Sequence, residues 1–518
     1  MTSKASVARW SFNKHRWLAI VAAISLLVWG LSGLTHIAMV LFGPQQVQFM
    51  PPQRPLNLSG AVPIADTLAR AGIGEAVAIR TVPGEQSSLL QVTTDPMQPR
   101  RYFDPASGAE LAEHDRAQAI FLARHFLGEE RPVASVSLQR DFDADYPRVN
   151  RLLPVWRVRF DGDDQLTAYV HTETTSVAAV NNATKTRLQS LFRALHTWEW
   201  VPSSMEWLRV LVIGLMVGSL AAMGFTGIAM LIAIRRKKRL PGAKGWHRIA
   251  GYVLALPLLM FSLSGLYHLV QGAIETPTSH LRMAEPIDLE NELFPITDQW
   301  RDVTAGLDVV SLSLVESASG QALYRLGLAA PGPAAPHGEH DHATDHGNHR
   351  MPTTDREIRN ARFEGVQPTG PAVYLDARTG TAVPQGDSDL ARSLSNRFLG
   401  ADEGAITGMT LVTRFGPDYD FRNKRLPVWR IDYGAPHNTT IFVDTATGTL
   451  VDRLDDWQKP ERYVFSFIHK WNFLFPIGRI GLNAVVGGFV VALLGLMGVL
   501  GTILYLKGRR PGARKVAP

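Results

Sequence analysis

The chain has 518 residues, enough for three or four domains of ordinary size, and 46% of them are hydrophobic, a fraction that by itself suits a soluble protein. It contains no cysteine, which excludes disulfides, covalent haem attachment through C-x-x-C-H and cysteine-held iron–sulfur clusters. The net charge of +6 gives no support for nucleic-acid binding, because the basic residues gather at the ends of apolar runs and act as a topology signal.

Those apolar runs cover residues 17–43, 207–234, 249–274 and 480–506, each long enough to cross a hydrocarbon layer about 30 Å thick. The first is too long for a signal peptide, and no small-residue cleavage site follows it before Pro44. Arg9, Lys14 and Arg16 precede the first run, Arg235, Arg236, Lys237, Lys238, Arg239, Lys244 and Arg248 fill the link between the second and third, and Lys507, Arg509, Arg510, Arg514 and Lys515 follow the fourth. The positive-inside rule then puts both termini and that link in the cytoplasm. The expected order is a tail and first span (1–43), an outer domain (44–206), a second span (207–234), a basic cytoplasmic loop (235–248), a third span (249–274), a second outer domain (275–479), a fourth span (480–506) and a cytoplasmic tail (507–518).

Two of the spans are copies. Residues 15–36 (HRWLAIVAAISLLVWGLSGLTH) and 247–268 (HRIAGYVLALPLLMFSLSGLYH) are identical at 11 of 22 positions without a gap. Both open with His-Arg and close with Leu-Ser-Gly-Leu-x-His. The 21 steps between the two histidines rise roughly 31 Å, so each helix carries one imidazole at each membrane face, about 60° apart around the axis. Pro63-Ile64-x-Asp66 recurs as Pro295-Ile296-x-Asp298 at the same spacing of 232 residues. Further on the spacing becomes 272, as in Asp104–Gly108 and Asp376–Gly380, and then 273, as in Leu153-Pro154-Val155-Trp156-Arg157 and Leu426-Pro427-Val428-Trp429-Arg430. The whole chain reads as helix, outer domain, helix, used twice, with one insertion in the second half.

Most of that insertion is the low-complexity stretch 329–354, which holds His337, His340, His342, His346 and His349 among Gly, Pro and Asp. Such a composition cannot bury a core. Elsewhere in the outer segments, 155–160, 167–170, 428–433 and 440–443 read as strands, and 115–128 and 388–400 as short amphipathic helices. The fold class expected is a membrane α-helical protein of four transmembrane helices in tandem duplication, with two small α+β outer domains.

Duplication also sorts the 16 histidines: His15/His247, His36/His268 and His196/His469 occur in both copies. Singly, a boundary histidine reads as an interfacial residue. Three pairs at matched depths point instead to opposed imidazoles holding b-type haem, two haems in all, within a helical bundle. His15 with His247 would hold one haem at the cytoplasmic face, and two of His36, His196, His268 and His469 a second at the outer face. Gly33 and Gly265, one turn before His36 and His268, leave room for a porphyrin or for close helix packing. Trp29 and Phe261 either fill the bundle or shorten the gap between the two levels. Trp198 and Trp471 suit headgroup anchors.

The His-Arg-Trp-Leu opening, the Leu-Ser-Gly-Leu ends, Phe465 to His469 leading into Pro476-Ile477-Gly478-Arg479, and the Asp-x-x-x-Gly turns together resemble the PepSY-associated transmembrane family, over essentially the whole chain. The family's best-understood members are inner-membrane ferrisiderophore reductases, with iron-uptake proteins close by. The resemblance implies periplasmic PepSY-like domains, b-type haem on His15, His36, His196, His247, His268 and His469, and electron delivery to a periplasmic ferric complex. The His-rich insertion departs from the family pattern.

The function expected is a haem-b-containing reductase in the bacterial inner membrane that passes electrons to a ferric siderophore or another periplasmic metal complex. No G-x-G-x-x-G follows a strand, so the electron donor is expected to be quinol or a separate cytoplasmic protein. The insertion histidines suit copper, nickel, zinc or iron, which leaves a cupric reductase open, or they form an incidental linker. A membrane-anchored regulator or chaperone that binds no haem is the alternative from another class. A transporter is disfavoured by the lack of broken helices, Pro257 being the one interior proline of the spans.

Overall fold

A computed structural model describes the chain apart from residues 1–3, 53, 55, 58–59, 235–239, 275–285, 290–292, 294, 296–302, 305, 318, 330–354, 362, 364, 367–370 and 508–518. The insertion histidines His337, His340, His342, His346 and His349 therefore lie outside the described residues, as do the basic clusters 235–239 and 509–515. The described chain forms two compact units, one of residues 1–43, 183–276 and 457–518 and the other of 44–182 and 277–456.

The first unit holds four helices long and apolar enough to cross a membrane, Lys4–Phe42, Ser203–Ala233, Gly242–Ile274 and Asn472–Lys507. The first and third start well before their apolar runs. A polar sequence such as Lys4 to Lys14 satisfies its backbone groups by continuing the helix into water, so the 39-residue first helix is about 58 Å long. Pro257 sits inside the third helix without ending it, as neighbouring helices in a bundle permit. The fourth span changes to a π-helical turn over Leu493–Val499 between α-helical stretches. Ala22, Leu26, Leu220, Ala250, Leu254, Leu258 and Leu493 pack together as the bundle's apolar centre.

Residues 183–206 and 457–479, expected as the ends of the outer domains, belong to the helical unit. The reason is side-chain packing: the helix Ala183–Phe192, extended by a π-turn Arg193–Thr197, lies along the first span through Phe192 against His36, and Gln458–Tyr463 with Val464–His469 lies along the third through Phe465 against His268.

The second unit is α+β. Two four-stranded antiparallel meanders run in chain order, Val133–Gln139, Val155–Phe160, Thr167–His171, Ser176–Asn181 and then Ile406–Val412, Val428–Tyr433, Thr439–Asp444, Thr449–Asp455. A helix covers each, His114–Leu127 or Asp387–Leu399, burying Leu122 and Phe126 against Val158 and Val170, and Leu390 and Leu394 against Ile431 and Ile441. Both helices stop at a left-handed glycine, Gly128 (φ 59°) and Gly400 (φ 65°), a conformation that costs a residue with a Cβ.

Two separate outer domains were expected, and the sheets correct this. A seven-stranded sheet runs Ala382–Val383, Ala372–Asp376, Ala322–Leu328, Val309–Glu316, Ala78–Pro83, Ser88–Thr93, Arg101–Phe103. Its centre joins the two halves of the sequence, through Ser313 opposite Arg80 and Leu314 opposite Ile79. One core of Ile64, Leu68, Ile79, Leu90, Leu312, Leu314, Tyr324 and Leu326 crosses the junction.

Buried charges cross it too. Glu173 accepts from Arg100 Nη2 at 3.2 Å and from Arg425 Nη2 at 2.8 Å, and Arg425 Nη1 donates to Asp444 at 2.8 Å. In the second half, Arg325 Nε and Nη2 each reach Asp387 at 2.8 Å, and Tyr374 donates to the same carboxylate. Burial alone would push the Asp387 carboxyl up, but the Arg325 guanidinium outweighs it and holds the carboxyl below its usual range. A depressed folded value means that the stabilisation is complete above the unfolded pKa and is lost as pH falls through the folded one. Acid unfolding followed by circular dichroism should therefore be less steep in Asp387→Asn than in the wild type, from about pH 4 downward.

Candidate functional site

The six duplicated histidines all lie in the helical unit, in two groups. At one end of the bundle, His15 of the first span faces His247 of the third, with ring centroids 6.3 Å apart and planes at 71°. Each ring also lies over a glycine of another span. A Cβ on Gly227 would sit 3.7 Å from Cε1 of His15, and one on Gly501 would sit 3.4 Å from Cε1 of His247. His15 Nδ1 is 3.1 Å from the Thr226 hydroxyl. His247 Nδ1 is buried without a hydrogen bond of normal geometry, the Leu496 backbone being the polar group beside the ring.

The other four gather towards the opposite end. His36 and His268 are exposed and stack on Phe192 and Phe465, at 5.3 Å and 4.0 Å. The same two phenylalanines stack on the half-buried His196 and His469, at 4.6 Å and 5.1 Å. Each half thus places one phenylalanine against both of its histidines. The Nδ1 atoms are occupied: His196 by Ser32 at 2.9 Å, His469 by Ser264 at 3.0 Å, and His268 by the Glu461 carboxylate. Burial first, then the charge of His268, push His196 down to about 4. Burial, then the charges of His196, His268, Lys470 and His36, push His469 down to about 3. Both imidazoles are neutral at pH 7 and carry one bare nitrogen lone pair, the form that binds a metal.

Trp198 and Trp471 correct the expectation of headgroup anchors. Each follows its histidine helix in a left-handed conformation, φ 54° and 55°, which turns the indole back into the bundle. Trp198 stacks on Trp29 at 5.9 Å, and Trp471, only 5% exposed, stacks on Phe261 at 5.3 Å with the planes 6° apart. The exposed indoles among the described residues are Trp10, Trp17, Trp200, Trp207, Trp246 and Trp457. The two glycines expected to leave porphyrin space also differ. Nothing lies within 4 Å of a Cβ on Gly33, whereas one on Gly265 would meet Cε1 of His469 at 3.6 Å.

Ser32, Ser264, Thr226, Glu461 and Phe192 carry no expected role in the sequence, and Phe465 stands there only as the first residue of a family motif. Ser32 and Ser264 stand in the repeated Leu-Ser-Gly-Leu, and Phe192 and Phe465 are related by the same spacing of 273 that relates His196 and His469, so the signal for four of them was present.

Among the described residues no group of three or more His, Cys, Asp or Glu converges as the ligand set of a bare ion. Two opposed imidazoles leave a bare ion short of donors but complete the axial positions of an iron already held by four porphyrin nitrogens. Imidazole nitrogens lie about 2 Å from a bound transition metal, which puts coaxial ring centroids about 6 Å apart. The His15–His247 spacing fits that arrangement.

No curated protein matches the chain. The family model described as "PepSY-associated TM region" matches residues 12–374, a stretch that takes in most of the first span, the second and third spans, and the seven-stranded sheet up to the middle of its strand Ala372–Asp376. Three of the four apolar helices lie under that match, which covers more than half of the chain, and this multi-pass membrane protein belongs to the PepSY-associated TM family.

Proposed function

We propose that the chain is a haem-b-containing reductase of the bacterial inner membrane that delivers electrons to a periplasmic metal complex, a ferric siderophore. The observation that carries this reading is the His15–His247 pair, two helices presenting imidazoles to one another at a spacing that suits axial ligation. His36, His196, His268 and His469 supply the ligands at the other level. Haem b held at these two levels supplies one-electron transfer on both sides of the lipid.

The remaining work belongs to the chain's own residues. Ala22, Leu254 and their neighbours exclude water between the levels. The Trp29–Trp198 and Phe261–Trp471 pairs extend the outer aromatic cluster inward along the spans. Arg9, Lys14, Arg16 and Arg248 orient the His15–His247 end to the cytoplasm, where quinol or a donor protein delivers electrons, and the sheet-bearing segments to the periplasm. Tandem duplication of helix, outer domain and helix produces the paired imidazoles, and the insertion histidines His337, His340, His342, His346 and His349 collect metal at the outer side.

An absorption spectrum of detergent-purified protein, produced with ample haem and then reduced with dithionite, tests this. A sharp reduced α-band that collapses on addition of a ferric siderophore is the expected result. A colourless protein overturns the reading in favour of a membrane-anchored regulator.

A further inference from the structure

Three of the six histidines have their Nδ1 against a buried hydroxyl, and in each case the hydroxyl also faces a carbonyl four residues back on its own helix. Ser32 Oγ lies 2.7 Å from the Val28 carbonyl and 2.9 Å from His196 Nδ1. For Ser264 the distances are 2.5 Å to the Met260 carbonyl and 3.0 Å to His469 Nδ1. For Thr226 they are 2.8 Å to the Ala222 carbonyl and 3.1 Å to His15 Nδ1. A hydroxyl has one proton and must choose. In all three it lies closer to the carbonyl, within the usual O–H···O distance, while the imidazole sits at the longer distance usual for N–H···O. The hydroxyl therefore donates to its helix and accepts from the imidazole.

We propose that Ser32, Ser264 and Thr226 are positioning residues that lock His196, His469 and His15 in the tautomer protonated at Nδ1, so that each presents a bare Nε2 to iron porphyrin. The identity of the acceptor rests on the haem reading above. The tautomer does not. If the hydroxyls pointed the other way, Nε2 would carry the proton and none of the three rings would be a ligand at that atom.

His247 supplies an internal contrast. The spacing of 274 that relates Gly227 to Gly501 puts Leu500 at the place of Thr226, so no hydroxyl meets His247 Nδ1, and the polar group beside that ring is the Leu496 backbone. Of the cytoplasmic-end pair, His15 alone has a hydroxyl against Nδ1. His268 uses the Glu461 carboxylate for the same purpose, a stronger acceptor that raises the donor strength of Nε2 further.

Nitrogen NMR of the full-length, haem-free protein carrying labelled histidine reads the tautomer directly, and titration with haem reads its effect. The wild type should show His15, His196 and His469 protonated at Nδ1. Ser32→Ala and Ser264→Ala should lose that preference at His196 and His469 and bind the outer haem roughly 10–100-fold more weakly. Ser32→Thr and Ser264→Thr should restore both. Ser25→Ala and Ser262→Ala should change neither, since Ser25 and Ser262 are equally buried and bonded to their own helix, at Val21 and Leu258, without reaching an imidazole. Wild-type rings protonated at Nε2, or alanine variants with unaltered tautomer and affinity, would overturn the proposal. A wild type that shows the locked tautomer but takes up no haem would instead refute the haem reading and the acceptor assigned here, leaving only the tautomer lock standing.

Discussion

The His15→Ala/His247→Ala double variant is expected to bind one haem equivalent fewer than the wild type, while the outer level retains its own. The two imidazoles face one another alone at that end, with ring centroids 6.3 Å apart, and Gly227 and Gly501 behind them offer no substitute donor. Each single variant should lose the same equivalent, because one imidazole alone would not hold a haem at that end. Haem-to-protein stoichiometry by the pyridine haemochrome method, on protein verified as folded, measures this directly. Delivery of electrons from quinol to a ferric siderophore should cease in both, whereas reduction of the remaining haem by dithionite should persist. Retention of the full haem complement in the double variant would refute the assignment of this end.

Glu173→Ala is expected to destabilise the sheet-bearing unit by about 3–5 kcal/mol, because it leaves buried guanidinium charge without its partner. Glu173 is the carboxylate of both Arg100, whose side chain is 1% exposed, and Arg425, 4% exposed, and those arginines come from different halves of the chain. Arg425 keeps Asp444, but Arg100 keeps only the contact to His171. The melting temperature of that unit should fall by roughly 5–10 °C. The control is Glu110→Ala, which removes the partner of Arg101 from an exposed pair and should cost about 0–1 kcal/mol. Thermal unfolding by circular dichroism distinguishes the two, and an equal effect of both variants would remove the special standing of Glu173.

The spans were legible because apolar runs of membrane length have few alternatives, and the two central strands and the covering helix of each meander because their patterning agrees with their burial, whereas the flanking strands Val133–Gln139, Ser176–Asn181, Ile406–Val412 and Thr449–Asp455 went unread. The recurrence of the histidines was legible as a constant spacing between the two similar segments of sequence. What sequence spacing does not carry is the direction of a side chain across helices. Nothing in the order of residues says that Ser32 turns toward His196 rather than into lipid, or that Trp198 adopts a left-handed backbone and stacks on Trp29. The merging of the outer halves was hidden for a related reason. Strand Ala78–Pro83 reads the same whether its far edge meets solvent or Val309–Glu316, so the pairing of Arg80 with Ser313, 233 residues on, leaves no local mark.

That pairing has a consequence for biogenesis. While the ribosome is still making the second half, the edge at Ala78–Pro83 has no neighbour, and the apolar face around Ile79 and Leu90 has only part of its cover. An amino-terminal fragment ending before Val309 would be a half-built sheet offering an open template for another chain, so severing the gene at its apparent midpoint should give two insoluble products rather than two working modules.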